Sequence, residues 1–166
     1  MIVLNGRRII ALANTYTNSQ NNSVSVKTVS GTTKSWSTQN ALDSEFKKIA
    51  TVYEPDNSSI SGSKTGIVMQ LGTGSTAPAP EDYCLESIAT DLTVSSASRE
   101  YSQSGSVIFT YEFYNSSSED ITVTEAAVFL QSFQYDLCAM LAREVIDPVT
   151  VEAYSSKTFT FELSFA

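Results

Sequence analysis

Val107-Ile-Phe-Thr-Tyr-Glu-Phe-Tyr-Asn115 decides the fold class. Val107, Phe109, Tyr111 and Phe113 fall on one phase of a two-residue period; Ile108, Thr110, Glu112 and Tyr114 fall on the other. In a strand, successive side chains point to opposite faces, so this alternation describes a sheet with one face in a core. The closing segment repeats it: Phe159, Phe161, Leu163 and Phe165 alternate with Thr158, Thr160, Glu162 and Ser164. Between them, Asn115-Ser-Ser-Ser-Glu-Asp120 reads as a turn, Ile121 to Leu130 as a strand and Cys138 to Val145 as another. Pro148 has no N–H for a ladder and confines the residues after it to an edge or a strand start.

Upstream, Ile67 to Leu71 reads as a fully buried strand. Gly72, Gly74, Pro78 and Pro80 then fix a loop. Ile88 to Val94 resumes as a strand, and Ser95-Ser-Ala-Ser98 is expected to break it. In the first third, Ile2 to Asn5 and Ile9 to Thr17 look like strands joined at Asn5-Gly6, a dipeptide that favours tight turns. Val24 and Val26 mark a further short strand. Residues 38–50 hold the one helix expected: Leu42, Phe46 and Ile49 share a face, Thr38 caps the start, and Lys47 and Lys48 lie near the end. Short strands with frequent turn signals describe an all-β protein, an antiparallel β-sandwich of jelly-roll-like character with one short helix in the N-terminal third. The softest boundary divides residues 1–60, an arm or subdomain, from the sandwich module at 61–166.

The 166 residues carry 10 Lys and Arg against 18 Asp and Glu, a net charge of −8 with no histidine. An acidic surface repels phosphate backbones, so no nucleic-acid partner is expected. No apolar run approaches the roughly 20 residues of a membrane helix, and no membrane partner or secretion signal is expected. Without histidine the usual general base, the Ser-His and Cys-His pairs and the commonest metal ligand are missing. Cys84 and Cys138 are too few for a cysteine zinc site and read as buried free thiols. Gly72-Thr-Gly74 follows a strand as a phosphate loop would, but lacks the following Gly-Lys-Ser/Thr and runs into prolines instead of a helix. Glu81-Asp82 and Glu119-Asp120 read as solvated turn acids. Asn21, Asn57 and Asn115 match the glycosylation sequon, as chance matches in an Asn- and Ser-rich chain. The expectation is therefore no enzyme, no cofactor and no metal.

Glu125 is the exception among the acids. It lies inside a strand on the phase of apolar residues, and a buried carboxylate needs a partner. Arg143, in the next strand, is the candidate for a cross-strand contact. Ile2, Val3, Leu4, Ile9, Ile10 and Leu12 are expected as an exposed partner interface that adds to another protein's sheet edge.

The motif blocks of the second half resemble a module of tailed-bacteriophage virion proteins, including fibre-attachment domains and head or tail accessory proteins. In that module an apolar strand leads into a Gly-Thr-Gly-like segment, then Pro, Asp and a Leu-Glu pair. Here these are Leu71-Gly-Thr-Gly74, Pro78 and Pro80, Asp82, and Leu85-Glu86. Thr124-Glu125-Ala-Ala-Val128, Leu141-Ala-Arg143, Pro148-Val-Thr-Val151 and the alternating last strand come next in the same order. The resemblance covers about residues 67–165; Glu125-Ala-Ala-Val128 departs from the usual Glu-Ile-Gly-Leu. It implies a non-enzymatic virion component, assembled in the host bacterial cytoplasm and attached to capsid, portal, tail or fibre proteins. Virion proteins act in symmetric arrays, so a homo-oligomer, with a trimer as one form, is expected. A host-surface or carbohydrate-binding sandwich, using Trp36, Tyr16, Tyr53, Tyr101, Tyr114, Tyr135 and Tyr154 as an aromatic platform, is the alternative.

Overall fold

The computed structural model describes residues 1–3, 6–7, 23–37, 66–101, 106–132 and 137–164. The short helix over 38–50, the strand over 9–17 and the boundary near residue 60 lie outside them. Among the described residues there are eight strands: β1 (Ser23–Lys27), β2 (Thr33–Ser37), β3 (Gly66–Gly72), β4 (Leu92–Tyr101), β5 (Val107–Asn115), β6 (Ile121–Ser132), β7 (Leu137–Val151) and β8 (Ser156–Leu163). They form a β1-β2 hairpin and two three-stranded sheets, ordered β3-β6-β7 and β4-β5-β8, with every pairing antiparallel. The described part of the protein is thus an all-β antiparallel sandwich. The chain changes sheet at β3–β4, β5–β6 and β7–β8, which gives it jelly-roll character.

The core sits between the two sheets. Ile67, Met69 and Leu71 from one sheet meet Phe109, Tyr111, Phe113, Phe159 and Phe161 from the other. The Tyr111 hydroxyl crosses the gap and donates to the Ile67 carbonyl at 2.7 Å, so a large ring is buried with its polar tip satisfied. β5 and β8 alternate as their sequences require. β3 is buried along its whole length because its second face is covered too. Val68, Ala127, Phe129, Cys138 and Met140 form a second core on the outer side of that sheet, closed by Val3 and Leu85 with Val29 beside them.

Two strands differ from expectation for one reason. Ser95 to Ser98 do not end a strand; β4 starts at Leu92 and runs through them. A register shift between Val94 and Ser96 changes the phase, so Leu92 and Val94 face the core before it and Ala97 after it. A bulge inserts one unpaired residue and breaks alternation without ending the ladder. The Ser95 hydroxyl is satisfied there by the Glu112 carboxylate at 2.6 Å. Ile88 makes only an isolated bridge to Gly72. β7 likewise continues through Pro148: pairing passes from Val145↔Glu125 to Val149↔Val123, so the proline falls in a bulge of an edge strand.

The expected exposed interface at the start of the chain needs correction. Met1 to Val3 pair with the chain's own β7. The Arg143 N–H donates to the Met1 carbonyl at 3.1 Å, the Val3 N–H to the Leu141 carbonyl at 3.1 Å, and Ile2 bridges Ala142. Val3 is fully buried and Ile2 half-buried. Gly6 and Arg7 are helical, with the Arg7 N–H on the Val3 carbonyl, rather than part of a hairpin turn. An open strand edge binds whatever backbone is nearest, and here that is intramolecular. Truncating residues 1–12 would therefore remove a core side chain and cannot isolate an external interface. Leu4, Ile9, Ile10 and Leu12 lie outside the described residues. The described part of β1-β2 also packs on the sandwich: Val26 belongs to the main core and the Val29 N–H donates to the Cys138 carbonyl.

Candidate functional site

The segment between β3 and β4, residues 73–91, folds back as a strap over the outer face of the β3-β6-β7 sheet. Thr73 donates its N–H to the Ser87 carbonyl at 2.8 Å, and Ala89 donates to the Leu71 carbonyl at 3.0 Å. The strap is held down by one charged cluster. Glu125, fully buried, accepts three backbone N–H groups, from Gly74 at 3.1 Å, Glu86 at 3.2 Å and Ser87 at 2.9 Å. The expected contact with Arg143 is present: Nε donates to Glu125 Oε2 at 2.9 Å. Nη2 lies 2.8 Å from the same oxygen, close for an ion pair but outside hydrogen-bond alignment.

The contact is diagonal. Glu125 stands opposite Val145, and Arg143 opposite Ala127. Directly opposite residues share a face, and a long side chain reaches its diagonal neighbour; the small Ala127 leaves the guanidinium room to do so.

Arg143 also holds two strap acids. Its Nη1 donates to Asp82 Oδ2 at 2.8 Å, and Nη2 lies 3.9 Å from Glu86 Oε2. Asp82 and Glu86 therefore do more than a solvated turn acid. Asp82 Oδ2 also accepts the Ala79 N–H, bracing the Pro78–Pro80 turn. Glu86 accepts the N–H groups of Ser75 and Thr76, each at 2.9 Å, and the Thr76 hydroxyl. Three carboxylates face one guanidinium, and backbone N–H dipoles supply the rest of the positive potential. Burial works against the Arg143 cation, but its hydrogen bonds to Asp82 and Glu125 outweigh that and raise its pKa further.

This cluster explains the Gly-Thr-Gly segment. A Cβ on Gly74 would lie 2.5 Å from both Glu125 Oε1 and the Glu86 Cβ; one on Gly72 would lie 2.5 Å from the same Oε1. The glycines are there so that a buried carboxylate can meet the backbone, not so that a phosphate can. Thr124 completes the grip, its hydroxyl donating to the Gly74 carbonyl at 2.8 Å. A second tie lies at the hairpin, where Lys27 Nζ sits 3.8 Å above the Tyr83 ring.

Glu86 predicts a pH response. The hydrogen bonds from Thr76, backbone first and then side chain, hold its pKa below the ordinary glutamate value. A carboxylate depressed in the folded state adds stability that is complete above its unfolded pKa and fades as pH falls through the folded one. The stability gap between wild type and Glu86→Gln should thus be full at neutral pH. It should close only below the usual glutamate range, in urea titrations run across acid pH.

Cys84 and Cys138 are free. Burial raises the Cys84 thiol pKa, with Asp82 adding to it, and burial pushes Cys138 well above its ordinary value, the reverse of an activated thiolate. Among the described residues no group of His, Cys, Asp and Glu is placed to hold a metal ion. Asn115 is no sequon acceptor: it is fully buried, and its Nδ2 donates to the carbonyls of Glu119, Val151 and Glu152. Asp120 accepts the Ala153 N–H in the neighbouring turn. Of the tyrosines considered for a sugar platform, Tyr114 and Tyr154 are exposed; Tyr16, Tyr53 and Tyr135 lie outside the described residues. Among the described residues no helix is long and apolar enough to cross a membrane.

In comparisons with known proteins, no family matches the chain, and no curated protein or solved structure does.

Proposed function

We propose that this protein is a non-enzymatic structural component of a bacteriophage virion, attached to the capsid or to the tail or fibre region by surface complementarity. One observation carries the reading. The charged residues and glycines through which the chain resembles the virion module, Gly72, Gly74, Asp82, Glu86, Glu125 and Arg143, converge in a single closed joint. The order of the blocks from Leu71 to Arg143 thus has a physical basis: together they supply the members of the contact that clamps a strap across a sandwich. The members pair with one another and with the backbone, a use suited to a rigid building block. The net charge of −8 favours a soluble, displayed part over one that packs against nucleic acid.

Quantitative mass spectrometry of gradient-purified phage particles tests this. The chain should be present in fixed ratio to the major capsid protein, and that ratio separates shell decoration from a vertex or tail part. Its absence from particles, with the soluble chain abundant in the infected cell, would overturn the proposal.

A further inference from the structure

Three turns meet at one end of the sandwich, residues 88–91, 115–120 and 152–155, and hydrogen bonds knit them into one unit. The Ser116 N–H and hydroxyl both donate to the Asp91 carbonyl at 3.0 Å. Asn115 donates its N–H to the Ser155 carbonyl and its Nδ2 to the carbonyls of Glu119, Val151 and Glu152. Asp120 accepts the Ala153 N–H at 2.9 Å. Tyr154 stands in this unit with φ 53°, the one non-glycine residue with a positive φ among the described residues. A side chain is strained in that left-handed region and glycine is not. Tyr154 is also 64% exposed, more than any other large apolar residue described, so burial does not offset the strain. Strain that the surrounding hydrogen bonds impose, with no packing gained, points to a use for the exposed ring. Exposed Tyr114, opposite Ser156, and exposed Ile88 lie at the same end.

Charge selects the occupant. The three turns carry Asp91, Glu119, Asp120 and Glu152, all exposed, and no Lys or Arg. Asp120 is engaged by Ala153; the carboxylates of Asp91, Glu119 and Glu152 have no hydrogen bond or ion pair among the described residues. The donors of Asn115 and Ser116 are already taken by backbone carbonyls. What remains outward is an aromatic ring flanked by unneutralised acceptors. A guanidinium suits both: it is planar, carries only donors, and stacks on aromatic faces. We propose that this end of the sandwich docks a basic surface of another protein, with an arginine stacked on Tyr154 and neighbouring cations held by Glu119 and Glu152. Complementary potentials of this kind set partner choice and orientation, and a rigidly held tyrosine is a usual anchor of such a contact. The inference goes beyond the virion proposal and does not depend on it.

Amide spectra of the full chain, titrated at physiological ionic strength with a blocked peptide of alternating glycine and arginine, decide it. Saturable shifts should be confined to residues 88–91, 114–120 and 152–156. Tyr154→Gly removes the ring and suits the left-handed backbone. It should unfold at a urea concentration no lower than wild type, yet bind the peptide at least about fivefold more weakly. Glu119→Gln combined with Glu152→Gln should weaken binding similarly with an unchanged urea midpoint. Shifts spread equally over Glu81, Glu100 and Glu162 would mean only general attraction to an acidic chain and would overturn the proposal. So would the absence of saturable shifts, or wild-type binding by Tyr154→Gly. A Tyr154→Gly variant that unfolds earlier than wild type would make the ring structural and overturn it too. Saturable shifts at this end with neutral maltohexaose, and none with the peptide, would overturn it in favour of a glycan site.

Discussion

Replacing Arg143 with Met should destabilise the fold by about 3–5 kcal/mol, the usual cost of removing one partner of a buried ion pair. Arg143 is only 3% exposed and Glu125 is fully buried, so the carboxylate left behind has no water to take the cation's place. The effect should appear in urea titrations as a lower midpoint with an unchanged slope, the sign of lost stability at constant exposed area. Converting both partners to apolar residues often restores a protein that loses such a pair. Here Arg143→Met with Glu125→Leu should not. Glu125 is also the acceptor for the N–H groups of Gly74, Glu86 and Ser87; the first of these is buried, and a buried donor left unpaired costs roughly 1–3 kcal/mol. A double variant as stable as wild type would show that the carboxylate is dispensable to the strap.

Gly74→Ala should cost about 1–3 kcal/mol or more, the range for forcing a methyl group into packed space. The cause is steric and not conformational, because Gly31 is the glycine with a positive φ among the described residues. The added Cβ meets a carboxylate oxygen on one side and a Cβ on the other. Neither can retreat without breaking hydrogen bonds to the strap. Urea titration measures the loss. Amide chemical shifts should change at Gly74, Ser75, Glu86 and Ser87 while those of β5 and β8 stay in place. Wild-type stability in this variant would mean that the strap has slack the cluster does not show.

The sheets were legible because alternation reports which face is buried. β5, β8 and the doubly covered β3 follow directly from Val107–Asn115, Thr158–Leu163 and Ile67–Leu71. Alternation fails where a bulge shifts the phase, which is why Ser95 looked like an end; the edge position expected of the residues after Pro148, for want of its N–H, is where β7 lies. Glu125 was legible as a charge on an apolar phase, and Arg143 as the cation on the next strand. Asp82 and Glu86 were not, because their role depends on the strap folding back 61 and 57 positions short of Arg143 in sequence, and no local spacing encodes that approach. The glycines signalled a loop, but only the position of the carboxylate says why that loop must lack side chains. The pairing of Met1 to Val3 with β7 was missed for the same reason. A short apolar segment reads alike whether its partner is another molecule or the far end of its own chain.

If the motif residues form a closed joint, the strap is held as firmly as the sheet beneath it, and hydrogen exchange of its amides at neutral pH will show this. The amides of Gly74, Glu86 and Ser87 should be protected to a degree comparable with those of β6, and Arg143→Met should remove that protection. Exchange at the rate of an open surface loop in the wild type would contradict the closed joint.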